Sequence, residues 1–235
     1  LQNKKNKRAM QYYSLNNNSP EVSFADAVIN GLAPDRGLYF PKNITPLPAS
    51  FFDTITTLDN TEIAYQAIHH FVGDEIPETV LKDILADVLS FDFPVVNIED
   101  NIGTLELFHG PTMAFKDVGA RFMARCLGYF NKNNKNNITV LVATSGDTGG
   151  AVANGFLGVD GVNVVILYPS GKVSEIQEKQ LTTLGQNITA LEVDGVFDDC
   201  QDMVKTAFLD TGITDLRQLT YSNTINVARW KPLLF

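Results

Sequence analysis

Short apolar runs alternate with helical windows from Val95 onward, and this alternation restricts the possible fold more than any other feature of the sequence. A strand–helix–strand order of this kind produces a parallel sheet with helices packed on its faces. We therefore predict an α/β region, a parallel sheet flanked by helices, over residues 96–235. The predicted strands are Val95–Ile98, Thr104–Phe108, Ile138–Ala143, Val164–Tyr168, Ile188–Val193 and Gln218–Tyr221, and the predicted helices are Phe115–Asn131, Thr148–Gly158, Ser174–Leu184, Asp198–Leu209 and one from Thr224 onward.

The residues before this region predict a second, smaller domain over residues 10–95. Helical patterns cover Ser23–Asn30, Asn60–Phe71 and Pro77–Ser90, and proline and glycine punctuate the loop Pro34–Pro48. This part is therefore expected to be small and mostly helical. Residues 1–9 have no apolar run and lack the hydrophobic region of a secretory signal. We interpret them as a leader or as residues added for expression.

The charge and the cysteines of the chain argue against several classes of partner. A net charge of −9, from 18 Lys+Arg and 27 Asp+Glu, repels a polyphosphate backbone. The sequence contains no run of about 18 apolar residues, so no membrane-spanning helix is expected. Cys126 and Cys200 have no metal-binding spacing, and His69 and His70, in the middle of a predicted helix, do not match the Glu/Cys pattern of a metal site. We therefore expect no nucleic acid, membrane or metal partner, and a reducing, cytoplasmic location.

Lys116 is the first candidate site residue, because ligands of open α/β sheets bind beyond the carboxyl ends of strands. It follows the predicted strand Thr104–Phe108 and lies near the start of a predicted helix, among apolar neighbours. The positive end of the helix dipole and partial burial both favour a neutral amine. Such an amine suits a Schiff base with an aldehyde cofactor. The alternative is an ordinary exposed lysine, which is what most lysines are.

A glycine-rich turn, Thr144–Ala151, follows the predicted strand that ends at Ala143 and opens the next predicted helix. Free backbone N–H groups in such a turn form an anion site. The turn matches neither a Walker A loop nor a dinucleotide-binding loop, so we expect a carboxylate or a single phosphate there. Ser145 and Thr148 supply hydroxyl groups, and Asp147 is expected to point away from the anion, toward a ligand hydroxyl. The alternative is a helix cap with glycines for close packing.

A third polar segment, Ser222–Arg229, follows the strand predicted to end at Tyr221. Asn223 and Asn226 are neutral hydrogen-bonding residues, and Arg229 lies where a bidentate contact to an oxyanion is possible. Polar residues at a helix start also serve as simple caps, so this segment by itself leaves both interpretations open.

Taken together, these segments resemble the threonine synthases, a family of fold-type II pyridoxal-phosphate enzymes. The resemblance covers residues 10–235 and is most specific around Lys116. The segments that carry it are Met10–Leu15 (MQYYSL), Val22–Pro41 (VSFADAVINGLAPDRGLYFP), Thr104–Asp117 (TLELFHGPTMAFKD), Thr144–Val152 (TSGDTGGAV), Val164–Gly171 (VVILYPSG), Asp194–Val204 (DGVFDDCQDMV) and Ser222–Arg229 (SNTINVAR).

The resemblance implies a reaction and a set of site residues. The reaction is the conversion of O-phospho-L-homoserine and water to L-threonine and phosphate, the last step of threonine biosynthesis, by a lyase that uses pyridoxal 5'-phosphate. Lys116 would hold the cofactor covalently and transfer protons at the substrate Cα and Cβ atoms. Asp147 would contact the cofactor 3′-oxygen. The implied substrate-binding residues are Ser145, Gly146 and Thr148 for the carboxylate, and Asn223, Thr224 and Arg229 for the phosphate.

One departure from the family pattern concerns the carboxyl end. A second glycine-rich loop for the cofactor phosphate and a partner for the pyridine nitrogen are not recognisable before Phe235. We therefore expect the chain to be truncated, to bind pyridoxal phosphate weakly and to be weakly active. Two other functions stay open: a related phospho-lyase that eliminates phosphate without forming threonine, and an inactive homologue that acts as a binding module. The sequence leaves the oligomeric state open between monomer and dimer.

Overall fold

The structure is a computed structural model that describes residues 10–132, 137–222 and 226–230. Its amino-terminal part is mostly helical, as predicted, but it also contains a two-stranded antiparallel sheet. One strand of that sheet lies in the segment predicted to be a loop, Pro34–Pro48. The elements of this part are strands β1 (Tyr12–Ser14) and β2 (Tyr39–Pro41) and helices α1 (Phe24–Asn30), α2 (Ala49–Thr54), α3 (Asn60–Val72) and α4 (Glu78–Val88).

A second antiparallel pair, the hairpin of β3 (Val95–Glu99) and β4 (Ile102–Leu105), follows this part. The hairpin turns at Asn101, which has a positive φ of 64°. The strand predicted over Thr104–Phe108 is therefore wrong in position, because β4 ends at Leu105 and the residues after it form a loop. Apolar residues alone do not tell a hairpin from a strand of the parallel sheet, and this explains the error.

A four-stranded parallel sheet is the centre of the α/β region, as the alternation predicts. Its strands are β5 (Ile138–Ala143), β6 (Val162–Pro169), β7 (Ile188–Val193) and β8 (Gln218–Tyr221). Their order across the sheet is β7-β6-β5-β8, so the chain adds β6 and β7 on one side of β5 and then crosses to place β8 on the other side. The carboxyl ends of β5 and β8 consequently meet at a topological switch point, where open sheets bind ligands.

Helices cover both faces of this sheet. The large core cluster packs one face and includes residues of α5 (Lys116–Asn131), α6 (Asp147–Phe156) and α7 (Glu175–Thr182). A smaller cluster on the other face includes Cys200 and Val204 of α8 (Phe197–Ala207). The short helices α9 (Thr211–Thr214) and α10 (Val227–Trp230) flank β8 in the chain.

One core joins the amino-terminal part to the α/β region. The large cluster contains Tyr12 and Phe24 as well as Phe122 of α5 and Ile166 of β6. At its border the guanidinium of Arg125 donates a 2.8 Å hydrogen bond to Asp87 at the end of α4. The domain division at residues 95 and 96 therefore stays a prediction, because the two parts share their hydrophobic core.

Candidate active site

Lys116 begins α5, and a buried carboxylate fixes the loop that leads to it. Asp117 is 1% exposed, and its side chain accepts hydrogen bonds from the backbone N–H of Thr112 at 2.9 Å and from the Thr112 hydroxyl. Gly110 lies so close that an added Cβ would stand 2.5 Å from Asp117 Oδ2. Met113 adopts a positive φ of 59° between them. The loop is therefore tightly constrained, and the position of Lys116 with it.

The amine of Lys116 faces the glycine-rich turn. Its side chain is 19% exposed, and Nζ lies 3.8 Å from Asp147 Oδ2 and 4.6 Å from the centre of the Phe115 ring. The alternative of an ordinary exposed lysine does not describe this side chain. The structure thus brings together two of the three segments that the sequence singled out.

The side chain of Thr144 holds the glycine-rich turn in place through hydrogen bonds. It is 1% exposed, and its Oγ1 accepts hydrogen bonds from the N–H groups of Gly146 at 3.0 Å and Gly149 at 2.8 Å. Gly146 has a φ of +139°, which favours glycine, and an added Cβ at Gly149 would stand 2.5 Å from Thr144 Cγ2. Thr144 therefore holds the start of helix α6, and the backbone of the turn stays accessible to a ligand. In the described chain we find no protein acceptor for the N–H groups of Asp147 and Thr148, which open α6.

The predicted residues of this turn occupy different environments. Ser145 and Asp147 are exposed, Thr148 is partly buried, and Gly146 is buried. Asp147 directs Oδ1 to Gln177, whose Nε2 donates a 2.7 Å hydrogen bond, and Oδ2 toward Lys116. Its contact with a ligand hydroxyl stays a prediction.

Arg229 of the third segment lies inside the protein. It is 1% exposed, and Nη1 donates a 3.0 Å hydrogen bond to the carbonyl of Ser222, while Nε has no partner in the described chain. Burial lowers the pKa of Arg229 to about 10, so the guanidinium keeps its charge at neutral pH. Asn223 and Thr224 lie outside the described residues, and their predicted contacts stay predictions.

Helix α10 packs closely on the helix that begins with Lys116. An added Cβ at Gly119 would stand 2.7 Å from the carbonyl oxygen of Arg229. Asn226 is fully buried and donates a 2.8 Å hydrogen bond to the carbonyl of Val28, so it ties this segment to α1 rather than facing a ligand. The third segment is thus joined to the lysine helix by backbone packing.

Three residues that support the site were not singled out from the sequence: Thr112, Thr144 and Gln177. Each acts through a hydrogen bond whose partner the local pattern does not reveal. For Gln177 a partial signal exists, because Ser174 and Gln177 have the spacing of a helix capping box and form one at the start of α7. That spacing predicts a helix cap and does not predict the hydrogen bond from Gln177 to Asp147.

The fold and the site together define an α/β protein with a lysine amine near the topological switch point of a parallel sheet. The chain belongs to the pyridoxal-phosphate dependent enzyme family, whose model matches residues 104–233. A second family model, described as threonine synthase N terminus, matches residues 11–88.

Curated relatives show the same likeness over more than nine-tenths of the chain. The threonine synthase of Escherichia coli (strain K12) is 44% identical over 220 residues, which are 94% of this chain and 51% of the relative. The threonine synthase of Saccharomyces cerevisiae is 39% identical over 239 residues, covering 93% of this chain and 46% of the relative. The chain thus spans about half the length of the curated relatives it matches.

Solved structures agree with this likeness. The crystal structure of threonine synthase from Escherichia coli superposes with a TM-score of 0.86 at 43% identity, covering 95% of this chain and 52% of that one. The structure of pyridoxal-phosphate-bound threonine synthase from Brucella melitensis gives a TM-score of 0.89 at 37% identity, covering 95% and 50%.

The described residues contain neither a membrane-spanning helix nor a metal-binding cluster. None of their helices combines the length and the apolar character needed to cross a membrane. The described residues also contain no group of three or more His, Cys, Asp or Glu side chains arranged to bind a metal ion.

Proposed function

We propose that this chain supplies the lysine-bearing half of a threonine synthase, which converts O-phospho-L-homoserine and water to L-threonine and phosphate. The observation that carries the proposal is the amine of Lys116, 19% exposed and 3.8 Å from the carboxylate at the start of α6. The 44% identity to the threonine synthase of Escherichia coli supports the choice of substrate.

The residues present fit pyridoxal 5'-phosphate at its aldehyde end. Lys116 offers a primary amine that is shielded by the Phe115 ring, and an aldehyde reacts with such an amine. The N–H groups of Asp147 and Thr148 at the start of α6, and the close backbone at Gly146, suit a bound anion. When bound, the cofactor supplies an electron sink that stabilises negative charge at the substrate Cα atom.

The side chains of this chain transfer protons and bind the substrate and the cofactor. Lys116 would take protons from the substrate Cα and Cβ atoms. As phosphate leaves from Cγ, a proton would be delivered to Cγ, the hydroxyl of water would add to Cβ, and a proton would return to Cα. Ser145 and Thr148 hold the substrate carboxylate through hydroxyl and backbone N–H groups. Gly146 takes part through the shape of the turn, because its own N–H donates to Thr144 Oγ1. Asp147 contacts the cofactor 3′-oxygen.

The phosphate of the substrate is assigned to the third segment. Arg229 is a cation at neutral pH, and its buried Nε is unpartnered in the described chain. A buried guanidinium without a carboxylate is costly to maintain, and an oxyanion ligand would provide the missing partner. Asn223 and Thr224 are proposed to complete this contact.

The proposed partner is therefore a small molecule. Net charge of −9 supports the absence of a nucleic-acid partner, and the cytoplasm is the proposed location. A monomer and a dimer both stay possible assemblies.

Product analysis tests this function. The polypeptide is loaded with pyridoxal phosphate and given O-phospho-L-homoserine, and threonine and inorganic phosphate are measured beside the variant Lys116→Ala. We expect equal amounts of both products at a slow rate, because the relatives use about twice this length of chain. Phosphate with a 2-oxo acid instead of threonine would indicate a phospho-lyase. Rates equal to those of the variant would contradict the proposal and favour a binding module.

A further inference from the structure

We propose that Gln177 is a positioning residue that holds the carboxylate of Asp147 beside the amine of Lys116. Gln177 Nε2 donates a 2.7 Å hydrogen bond to Asp147 Oδ1, and Asp147 Oδ2 lies 3.8 Å from Lys116 Nζ. The inference rests on the function proposed for Lys116, and it adds a residue of α7 to that site.

The orientation of the Gln177 amide is fixed by its second contact. Its Oε1 accepts hydrogen bonds from the backbone N–H of Ser174 at 3.2 Å and from the Ser174 hydroxyl at 2.9 Å. A backbone N–H can only donate, so the amide oxygen must face Ser174. The amide nitrogen then faces Asp147, whose carboxylate can only accept. Both ends of the side chain are thus engaged, which restricts its rotation.

The ion pair alone would not hold Asp147 in place. The side chain of Asp147 is 58% exposed, and an exposed pair at 3.8 Å contributes little because water screens it. The hydrogen bond from Gln177 is shorter and has a charged acceptor, and such bonds are about twice as strong as neutral ones. Gln177 is therefore the stronger constraint on the carboxylate.

Gly146 provides independent support, because the amide of Gln177 lies directly over it. An added Cβ at Gly146 would stand 2.5 Å from Gln177 Nε2. The absence of a side chain at Gly146 thus leaves the space that the Gln177 amide fills. The contact links the start of α6 to α7 at the point where Lys116 approaches.

Two substitutions separate positioning from helix capping. Ser174→Ala removes the hydroxyl that caps α7 and leaves the Gln177 donor to Asp147 in place. Gln177→Met keeps the approximate length and loses both contacts. Gln180→Met is the matched control, since Gln180 lies one turn further along α7 and packs against Gly150 instead of Asp147.

The readout is the reactivity of the Lys116 amine, measured without cofactor or substrate. Trace acylation followed by peptide mass spectrometry gives its labelling rate relative to that of Lys42. Asp147 restrains the amine through their contact at 3.8 Å, so loss of that carboxylate frees Nζ to react. We expect Asp147→Asn to raise labelling about two- to fivefold, the range for a weak exposed pair. Gln177→Met should produce a similar rise and Gln180→Met none, whereas Ser174→Ala, which keeps the Gln177 donor, should leave labelling unchanged.

A double-mutant cycle completes the test. If Gln177 acts through Asp147, then Gln177→Met adds nothing to labelling in the Asp147→Asn background. Additive effects, an unchanged rate in Gln177→Met, a rise in Ser174→Ala equal to that in Gln177→Met, or an unchanged rate in Asp147→Asn would each overturn the inference. The measurement needs no turnover, so a failure of the product assay with this labelling pattern intact would count against the proposed function alone.

Discussion

The hydroxyl of Thr144 offers the sharpest test of how the glycine-rich turn is built. Thr144→Val keeps the shape of the side chain and removes the acceptor for the N–H groups of Gly146 and Gly149. The matched control is Thr139→Val in the same strand, because Thr139 is 5% exposed and its Oγ1 has no hydrogen-bond partner in the described chain.

The expected magnitudes follow from these contacts. Two buried N–H groups that lose their acceptor cost about 1 kcal/mol each or more, so Thr144→Val should lower the free energy of unfolding by about 2–3 kcal/mol. Thr139→Val removes a buried hydroxyl without a partner, so it should leave stability unchanged or raise it by about 1 kcal/mol.

Urea unfolding followed by circular dichroism measures both variants. We expect the midpoint to fall for Thr144→Val and not for Thr139→Val, with unchanged slopes. Equal midpoints for the two variants would refute the argument, because they would show that the hydrogen bonds of Thr144 do not stabilise the turn.

Two further predictions concern buried and paired carboxylates. Asp117→Asn should lower the free energy of unfolding by about 1–3 kcal/mol, because it weakens the hydrogen bonds from Thr112, and urea unfolding beside the exposed-site control Asp202→Asn checks this. The hydrogen bond from Lys82 lowers the pKa of Glu62, so its stabilising effect is present above the unfolded-state pKa and lost as pH falls through the folded-state pKa. Stability should therefore fall between about pH 6 and pH 3 less steeply in Lys82→Met than in the parent chain, and identical slopes would show that this pair does not contribute.

The parallel sheet was predictable from the sequence because its strands carry a strong local signal. The bounds of β5, β7 and β8 match the predicted ranges. Strand β5 is a buried and continuous apolar run, whereas the edge strands β7 and β8 are partly exposed and are marked by their position between helical windows. The short strands β1 and β2 were not predictable in this way, because three residues give no period. The hairpin of β3 and β4 was misplaced for the related reason that its turn, at Asn101, has no glycine or proline to mark it.

The reactive residues of the candidate site were predictable from the sequence, but the residues that hold them in place by hydrogen bonds were not. The turn at Asp147 stands directly after strand β5, where the topology of an α/β sheet collects functional groups. Lys116 instead follows the loop after the hairpin of β3 and β4, so its predicted place after a strand of the sheet was wrong, although its amine does lie beside that turn. The contact between Asp147 and Gln177 joins residues 30 positions apart in the chain. Contacts of this kind depend on how two helices pack, and that packing is not recorded in any local sequence pattern.

The central claim is that the amine of Lys116 bonds to the aldehyde of pyridoxal phosphate. Borohydride reduction of the protein with this cofactor, followed by digestion and peptide mass spectrometry, tests the claim directly. We expect a reduced adduct at Lys116 at cofactor concentrations that leave the exposed Lys42 and Lys179 unmodified, and no such adduct in Lys116→Ala. Adducts spread equally over these lysines would contradict it.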